Sequence, residues 1–172
     1  MKNKKHEKFM SLYRPVHDRF ERFCRARVYG EMDHGDLINE TLLLAYKKFD
    51  TLKSEQAFLS FLFAIAIRVL ANAHRKKKPK ISLEGVREDQ IISSDNPEKD
   101  LDVQLLHEAL ALLPNDQRES LILFEISGFS IKEIAELHQV GESAVKQRLR
   151  RGRMNLAKCL TEKKKKGVET NE

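Results

Sequence analysis

Residues 130–153, SIKEIAELHQVGESAVKQRLRRGR, combine two short helical patterns with a tight turn between them. Ser130 and Glu133 have the spacing of a capping box, which opens the first helix. The turn falls at 139–141, and the longer helix that follows places Val145 and further apolar residues on its inner side. Two helices joined in this way, the second strongly basic, predict a helix-turn-helix.

Helical periodicity extends to the rest of the chain. Helical patterns lie on both sides of Pro114, and Gly128 is a suitable breaker after the second of them. Nearer the N-terminus, apolar residues predict a helix over about 34–49 and a more deeply buried one over 58–73. An earlier helix is expected to be interrupted near Pro15. The predicted fold class is therefore all-α, with two small helical domains.

The charge is unevenly distributed along the chain. Its 172 residues include 32 Lys and Arg and 26 Asp and Glu, a net charge of +6. Residues 68–83 carry +6 and 140–166 carry +8, whereas 84–102 carry −5. This pattern favours a polyanionic partner and two modules joined by an acidic linker. The predicted divisions are a first domain at 1–80, the linker at 81–102, a second domain at 103–160 and a charged flexible tail at 161–172.

Several classes of function are disfavoured by the sequence. Cys24 and Cys159 are far apart and the histidines are scattered, so neither a disulfide framework nor a metal site is expected. The seven glycines form no nucleotide-binding motif. The N-terminus lacks the apolar core of a signal peptide, and polar residues interrupt the apolar stretch 57–73. We therefore expect a cytoplasmic protein without membrane insertion, catalytic residues, metal or cofactor.

Three segments resemble a known family. Residues 33–52, DHGDLINETLLLAYKKFDTL, and 57–77, AFLSFLFAIAIRVLANAHRKK, resemble region 2 of the extracytoplasmic-function (ECF) sigma factors of bacterial RNA polymerase. Residues 109–160 resemble region 4, with the pattern L-P-x-x-x-R-E at 113–119, and the blocks occur in the family's order. The resemblance implies a subunit that directs core polymerase to promoters at the bacterial nucleoid and performs no bond chemistry itself.

The helix expected at 34–49 carries Asp36 and Glu40 on one face. No nucleophile or metal cluster accompanies these carboxylates, so paired acid and base catalysis is not indicated. The resemblance implies that this face docks on the polymerase, and the alternative is an ordinary solvated helix N-terminus. The implied docking residues are Asp36, Leu37, Asn39, Glu40 and Leu43.

A basic block ends the helix that contains Phe58, and basic side chains beside aromatic ones are typical of single-stranded DNA binding. The resemblance assigns this helix, with the loop 51–56, to opening the minus-ten element. The alternative is that the phenylalanines are core residues. Phe61, Arg68 and Asn72 replace the family's usual Trp, Asn and Asp, which leaves base recognition here open. The predicted minus-ten residues are Phe58, Phe61, Arg68, Asn72, Arg75 and Lys76.

The basic second helix of the helix-turn-helix is expected to divide its contacts with DNA. A helix in the major groove presents its first turns to base edges, while later arginines reach phosphates. The alternative is a solvated basic helix. Residues 138–141 read HQVG where the family usually has Leu-Gly-Ile-Ser, so the glycine moves to the N-cap. The predicted minus-thirty-five residues are Ser143, Ala144, Lys146, Gln147, Arg148, Arg150, Arg151 and Arg153.

The predicted partners are core RNA polymerase and promoter DNA, both double-stranded and melted. The sequence leaves open whether an anti-sigma protein also binds. A linker of about 20 residues can extend to roughly 70 Å, the length of about two turns of DNA, so one chain can reach both elements. Two other functions stay open: a stand-alone helix-turn-helix repressor that does not contact polymerase, and a decoy that binds polymerase but opens no promoter.

Overall fold

The computed structural model describes residues 2–76 and 97–169, and every regular element in these two ranges is helical. The all-α prediction is therefore confirmed. The α-helices are α1 Lys2–Tyr13, α2 His17–Val28, α3 His34–Lys47, α4 Phe58–Lys76, α5 Pro97–Ala111, α6 Asn115–Leu121, α7 Ile131–His138 and α8 Glu142–Glu169. Short 3₁₀ turns at Arg14–Val16, Phe49–Thr51 and Glu55–Ala57 and a π turn at Ile122–Ile126 complete the helical elements.

Local sequence signals fix several helix ends. A 3₁₀ turn separates α1 from α2 at Pro15, where the missing N–H prevents a continuous α-helix. Asp33 caps α3 by accepting a hydrogen bond of 3.2 Å from the backbone amide of Asp36. Both interactions of the capping box predicted for Ser130 and Glu133 are present at the start of α7.

Two helices extend across the predicted domain limits. α5 begins at Pro97, inside the predicted linker, and residues 77–96 lie outside the described residues. α8 continues to Glu169, through most of the predicted tail. Lys163 in this extension forms an ion pair of 2.6 Å with Glu108 of α5, which ties the end of α8 to the second module, α5–α8.

The first module, α1–α4, is built around an aromatic core. The ring of Phe63 in α4 lies 5.4 Å from that of Phe20 and 4.7 Å from that of Phe23, measured between centroids. Glu55–Lys76 is long and apolar enough to span a membrane by length and composition alone. Its Leu62 and Phe63 side chains are fully buried in the protein core.

Glycines shape the second module at two places. Gly128 has φ of +71° and ends the helical run after the π turn, as its position predicted. Gly152 lies where α8 crosses α6, and a Cβ added there would be 2.9 Å from Cδ1 of Leu121. The absence of a side chain therefore lets the two helices approach closely.

The two modules share one continuous apolar core. Phe129, which follows the π turn, is buried, and its ring lies 4.8 Å from that of Phe63. α2 packs against the π turn, and α4 packs against α7. The helix-turn-helix of the second module therefore lies beside the long helix of the first.

Candidate nucleic-acid interface

The turn between α7 and α8 has the geometry of a Schellman motif. Gln139 has φ of +55°, in the left-handed region. The Val140 amide donates to the carbonyl of Ala135 at 3.0 Å, and the Gln139 amide donates to the carbonyl of Glu136 at 3.3 Å. Gly141 then precedes the first residue of α8, in the N-cap position that the sequence indicated.

One face of α8 is packed in the protein core, and the opposite face is exposed to solvent. Val145 is fully buried and Leu149 is buried beneath the helix, as their spacing predicted. The opposite face therefore points to solvent with its first turns unobstructed. Of the predicted minus-thirty-five residues, the exposed ones are Ser143, Lys146, Gln147, Arg150, Arg151 and Arg153, while Ala144 and Arg148 are half-buried.

Two of these arginines already have partners within the second module. Nε of Arg148 lies 3.3 Å from a carboxylate oxygen of Asp116, and one of its terminal nitrogens lies 3.2 Å from Nδ1 of His138. Arg153 donates two hydrogen bonds to Glu125, at 3.0 and 2.7 Å, and its guanidinium lies over the ring of Phe124. These pairs also link α8 to the elements before it.

The predicted minus-ten residues divide between core and surface. Phe58 is buried, with its ring 5.5 Å from that of Phe9. For this residue the structure supports the alternative core role, because α1 covers the side chain. Phe61 is half-buried beside it, at a ring distance of 6.5 Å. The exposed members of the set are Arg68, Asn72, Arg75 and Lys76.

A groove between α4 and the helix-turn-helix is lined by one residue from each of the two predicted DNA-binding sets. Arg68 of α4 lines it from one side, and Gln139 and Arg148 line it from the other. Its wall also includes Glu133 and Glu136 of α7, so the groove carries both signs of charge.

The predicted docking face on α3 is largely at the surface. Asp36, Asn39 and Glu40 are exposed, and Leu43 beside them is 55% exposed. Leu37 differs from the prediction, because its side chain is fully buried. It supports the face from below and offers no surface to a partner.

Sequence reasoning missed a set of buried charges between the modules. Arg118 of α6 is 1% exposed and donates to Glu31 at 2.5 Å. Arg27 of α2 is 2% exposed and donates to Glu119 at 2.9 Å. Arg118 and Glu119 are the R-E of the pattern quoted above, but that pattern gave no partner for either residue.

The neighbours of the two carboxylates keep them ionised. Burial alone raises the pKa of Glu31, but the charges of Arg118 and Arg27 outweigh burial and lower it below its ordinary value. Burial likewise raises the pKa of Glu119, and the close approach of His138 and the charge of Arg27 bring it below the ordinary range.

Among the described residues, one group has the geometry of a metal site, formed by His17, Asp18 and Glu21 on α2. Glu21 is paired with Arg25 at 2.8 Å, a cation that would compete with a metal ion.

A helix-turn-helix with an exposed basic recognition helix, beside a second basic helix, defines a DNA-binding protein with two modules. The family model for Sigma-70 region 2 matches residues 12–80, and that for Sigma-70 region 4 matches residues 103–156. The ECF RNA polymerase sigma factor EcfG of Rhodopseudomonas palustris is 30% identical over 133 residues, which cover 76% of this chain and 74% of the relative. SigM of Mycobacterium tuberculosis is 27% identical over 159 residues, which cover 88% and 76%.

A solved structure has a similar fold over most of the chain. The sigma factor RpoE of Bartonella quintana, in complex with the anti-sigma factor NepR, is 25% identical with a TM-score of 0.68 and covers 94% of this chain and 98% of its own. The chain belongs to the ECF sigma factors of the sigma-70 family. It is thus a transcription initiation factor that directs RNA polymerase to promoters. The repressor and decoy alternatives are not favoured by these relatives.

Proposed function

We propose that α8 reads the minus-thirty-five element, with its first turns on base edges and its later turns on phosphates. The observation that carries this assignment is the exposed face opposite the buried Val145. Lys146 and Gln147 lie near the start of that face, and Arg150 and Arg151 lie a turn later. Side chains in the first turns of a groove-inserted helix reach bases, whereas later basic residues neutralise the backbone.

When DNA binds, Arg148 and Arg153 each leave a carboxylate partner within the chain and pair with a DNA phosphate group instead. Arg153 and its partner Glu125 are both about half exposed, and Asp116 beside Arg148 is 50% exposed. Ion pairs at such positions contribute roughly 0–1 kcal/mol. A phosphate group can therefore compete with the carboxylate for either arginine.

The exposed end of α4 binds the minus-ten element in this assignment. Arg68, Arg75 and Lys76 supply positive charge, and the half-buried Phe61 supplies an aromatic ring. Asn72 can donate and accept hydrogen bonds at a base. Phe58 contributes by supporting Phe61 from the core. The division into a region 2 domain at 1–80, a linker at 81–102, a region 4 domain at 103–160 and a tail at 161–172 belongs to the same proposal.

The α3 face docks on core polymerase. Asp36 and Glu40 give it negative charge, and Leu43 adds an exposed apolar side chain between the polar ones. Such a combination suits a partner surface that carries basic and apolar groups.

An anti-sigma protein is the third proposed partner. The Bartonella quintana relative was solved with the anti-sigma factor NepR. We place this chain at the bacterial nucleoid in the cytoplasm, and it acts by binding rather than by catalysis of its own.

Run-off transcription with core polymerase tests the proposed function. A promoter-specific transcript that requires the added chain is the expected result. Specific duplex binding by the free chain with no effect of core polymerase would support a repressor. Binding to core polymerase without any transcript would support a decoy.

A further inference from the structure

A histidine at the end of α7 lies between α6 and the basic helix α8. The Nε2 atom of His138 lies 2.8 Å from a carboxylate oxygen of Glu119, and its Nδ1 atom lies 3.2 Å from a terminal nitrogen of Arg148. Only 6% of the histidine side chain is exposed. The two ring nitrogens therefore contact side chains from two different helices, and little of the ring is open to solvent.

The partner of Nδ1 determines which ring nitrogen carries the proton. A guanidinium donates hydrogen bonds and accepts none, so Nδ1 of His138 must accept the hydrogen bond from Arg148. The proton of the neutral ring is then on Nε2, the atom beside the carboxylate of Glu119. The neighbours on α6 and α8 thus favour the same tautomer and the same orientation of the ring.

Arg148 has a second partner, and its two partners differ in exposure. Its Nε atom lies 3.3 Å from a carboxylate oxygen of Asp116, whose side chain is 50% exposed. An ion pair at such a position is weak, because water and salt screen it. The hydrogen bond to His138 is shielded from water and is therefore the more persistent of the two. A DNA phosphate can replace Asp116 at Nε while the terminal nitrogen stays on His138.

This histidine is a departure of the chain from the family pattern. Residues 138–141 read HQVG where the family usually has Leu-Gly-Ile-Ser, so His138 occupies the position of a leucine. A leucine fills space between helices but has no atom that accepts a hydrogen bond. The polar partner on the terminal nitrogen of Arg148 is therefore a feature of this chain that the family pattern does not supply.

We propose that His138 is a positioning residue for binding of the minus-thirty-five element, because it holds the guanidinium of Arg148 with its Nε side available to a DNA phosphate. The inference rests on the proposed function, in which Arg148 pairs with phosphate. A long side chain loses rotamer freedom when DNA holds it in one conformation, and this loss opposes binding. A residue that already restrains the arginine in the free protein makes the loss on binding smaller.

Replacement of the histidine tests this role. His138→Leu removes the acceptor, retains an apolar side chain and restores the family's usual residue. It should weaken promoter binding by the holoenzyme roughly three- to tenfold, the effect of ordering one long side chain on binding. The loss should be equal for all minus-thirty-five sequences, because phosphate contacts carry no sequence information. His138→Asn is the conservative variant: its side-chain oxygen can take the place of Nδ1, so it should retain most of the affinity.

A double-mutant cycle separates positioning from a purely structural role. Arg148→Met removes the guanidinium, so adding His138→Leu to that variant should change promoter binding by less than about twofold. If His138→Leu weakened binding equally with and without the arginine, the histidine would act through the fold of the helix-turn-helix, and the proposal would be overturned. Unchanged binding by the single variant His138→Leu would also overturn it.

Asp116→Asn is the matched control, because it weakens the other contact of the same arginine. Phosphate has to displace Asp116 from Nε, so this variant should bind promoter DNA as tightly as wild type or more tightly. The expected direction is thus opposite to that of His138→Leu. Equal losses in the two variants would mean that the two partners of Arg148 act alike, which would overturn the proposal.

Nuclear magnetic resonance of the free full-length chain tests the geometry without polymerase. At mildly alkaline pH the ring-nitrogen shifts of His138 should show a proton on Nε2 and none on Nδ1, and Arg148→Met should shift the Nδ1 signal. A proton on Nδ1 would contradict the hydrogen bond from Arg148 and overturn the proposal.

Lys146→Ala, on the exposed face of α8, distinguishes failure of this inference from failure of the proposed function. If Lys146→Ala changes promoter binding by the holoenzyme and His138→Leu does not, only the positioning role fails. If neither variant changes promoter binding, α8 does not bind the minus-thirty-five element, and the proposed function fails with the inference.

Discussion

The backbone amide of Val140 donates a hydrogen bond of 3.0 Å to the carbonyl of Ala135, and this bond closes the helix-turn-helix around Gln139. Gln139 has φ of +55°. A residue with a Cβ is strained in this region, whereas glycine enters it without steric cost. The family pattern has glycine at this position of the turn. The replacement by Gln139 therefore places a residue with a Cβ in a backbone conformation that favours glycine.

Gln139→Gly should stabilise the chain by about 0.5–1 kcal/mol, because relief of the strain exceeds the added flexibility of the unfolded state. Urea unfolding followed by circular dichroism measures the change. Gly128→Ala is the matched control, since it introduces a Cβ at φ of +71° and should destabilise. A loss of stability in Gln139→Gly would contradict this account of the turn.

Gly152→Ala should destabilise the second module by about 1–3 kcal/mol, because its Cβ would overlap Leu121 where α8 crosses α6. Gly141→Ser provides the control: its position has open space and is an N-cap, where Ser is at least as favourable as Gly. Thermal unfolding of the two variants gives the comparison. Equal melting temperatures for Gly152→Ala and wild type would show that the crossing tolerates a methyl group.

Features of the fold that depend on residues close together in the sequence were predictable. Features that depend on contacts between distant residues were not. The cap of Asp33 and the capping box at Ser130 depend on residues three positions apart, so the sequence displays them. The burial of Arg118 depends on Glu31, which is 87 residues away, and no local pattern encodes that pairing. The prediction for Leu37 failed because a family motif identifies a helix segment without stating which of its side chains point inward.

The stability of the chain should fall as the pH drops from about 6.5 to about 4, because His107 is buried. Burial, with the charges of Arg118 and Arg25, lowers its pKa to about 4. The unfolded state then binds a proton that the folded state excludes, so acid favours unfolding in this window, by about 3 kcal/mol in total.

Urea unfolding at pH 7, 6 and 5 checks this dependence. His107→Leu should flatten the decline, whereas His6→Gln, at an exposed position, should retain it. If the stability of wild type and of His107→Leu fell equally with pH, the pH dependence would have to come from groups other than His107.

Asp36→Lys combined with Glu40→Lys should weaken binding to core polymerase at least tenfold, because the α3 face would reverse its charge. Pull-down of core enzyme with the purified chain measures the effect, with circular dichroism as the test of folding. The control is Glu7→Lys with Asp18→Lys, an equal charge change on exposed positions of α1 and α2. Equal losses in both proteins would mean that net charge, rather than this face, governs binding.

In the proposed function, α8 separates base contacts from phosphate contacts. Lys146→Ala or Gln147→Ala should cost about 1–3 kcal/mol on the preferred minus-thirty-five sequence and relax preference at one or two positions. Arg150→Ala or Arg151→Ala should weaken all sequences alike and reduce the salt slope by about one unit.

Promoter binding by the holoenzyme, measured across minus-thirty-five variants at two or more salt concentrations, is the most direct test. We expect changed sequence preference for variants at Lys146 and Gln147, and a changed salt slope with unchanged preference for variants at Arg150 and Arg151. Uniform loss of affinity in both groups would contradict this division of contacts, and sequence specificity would then have to reside in α4 or in the shape of the DNA.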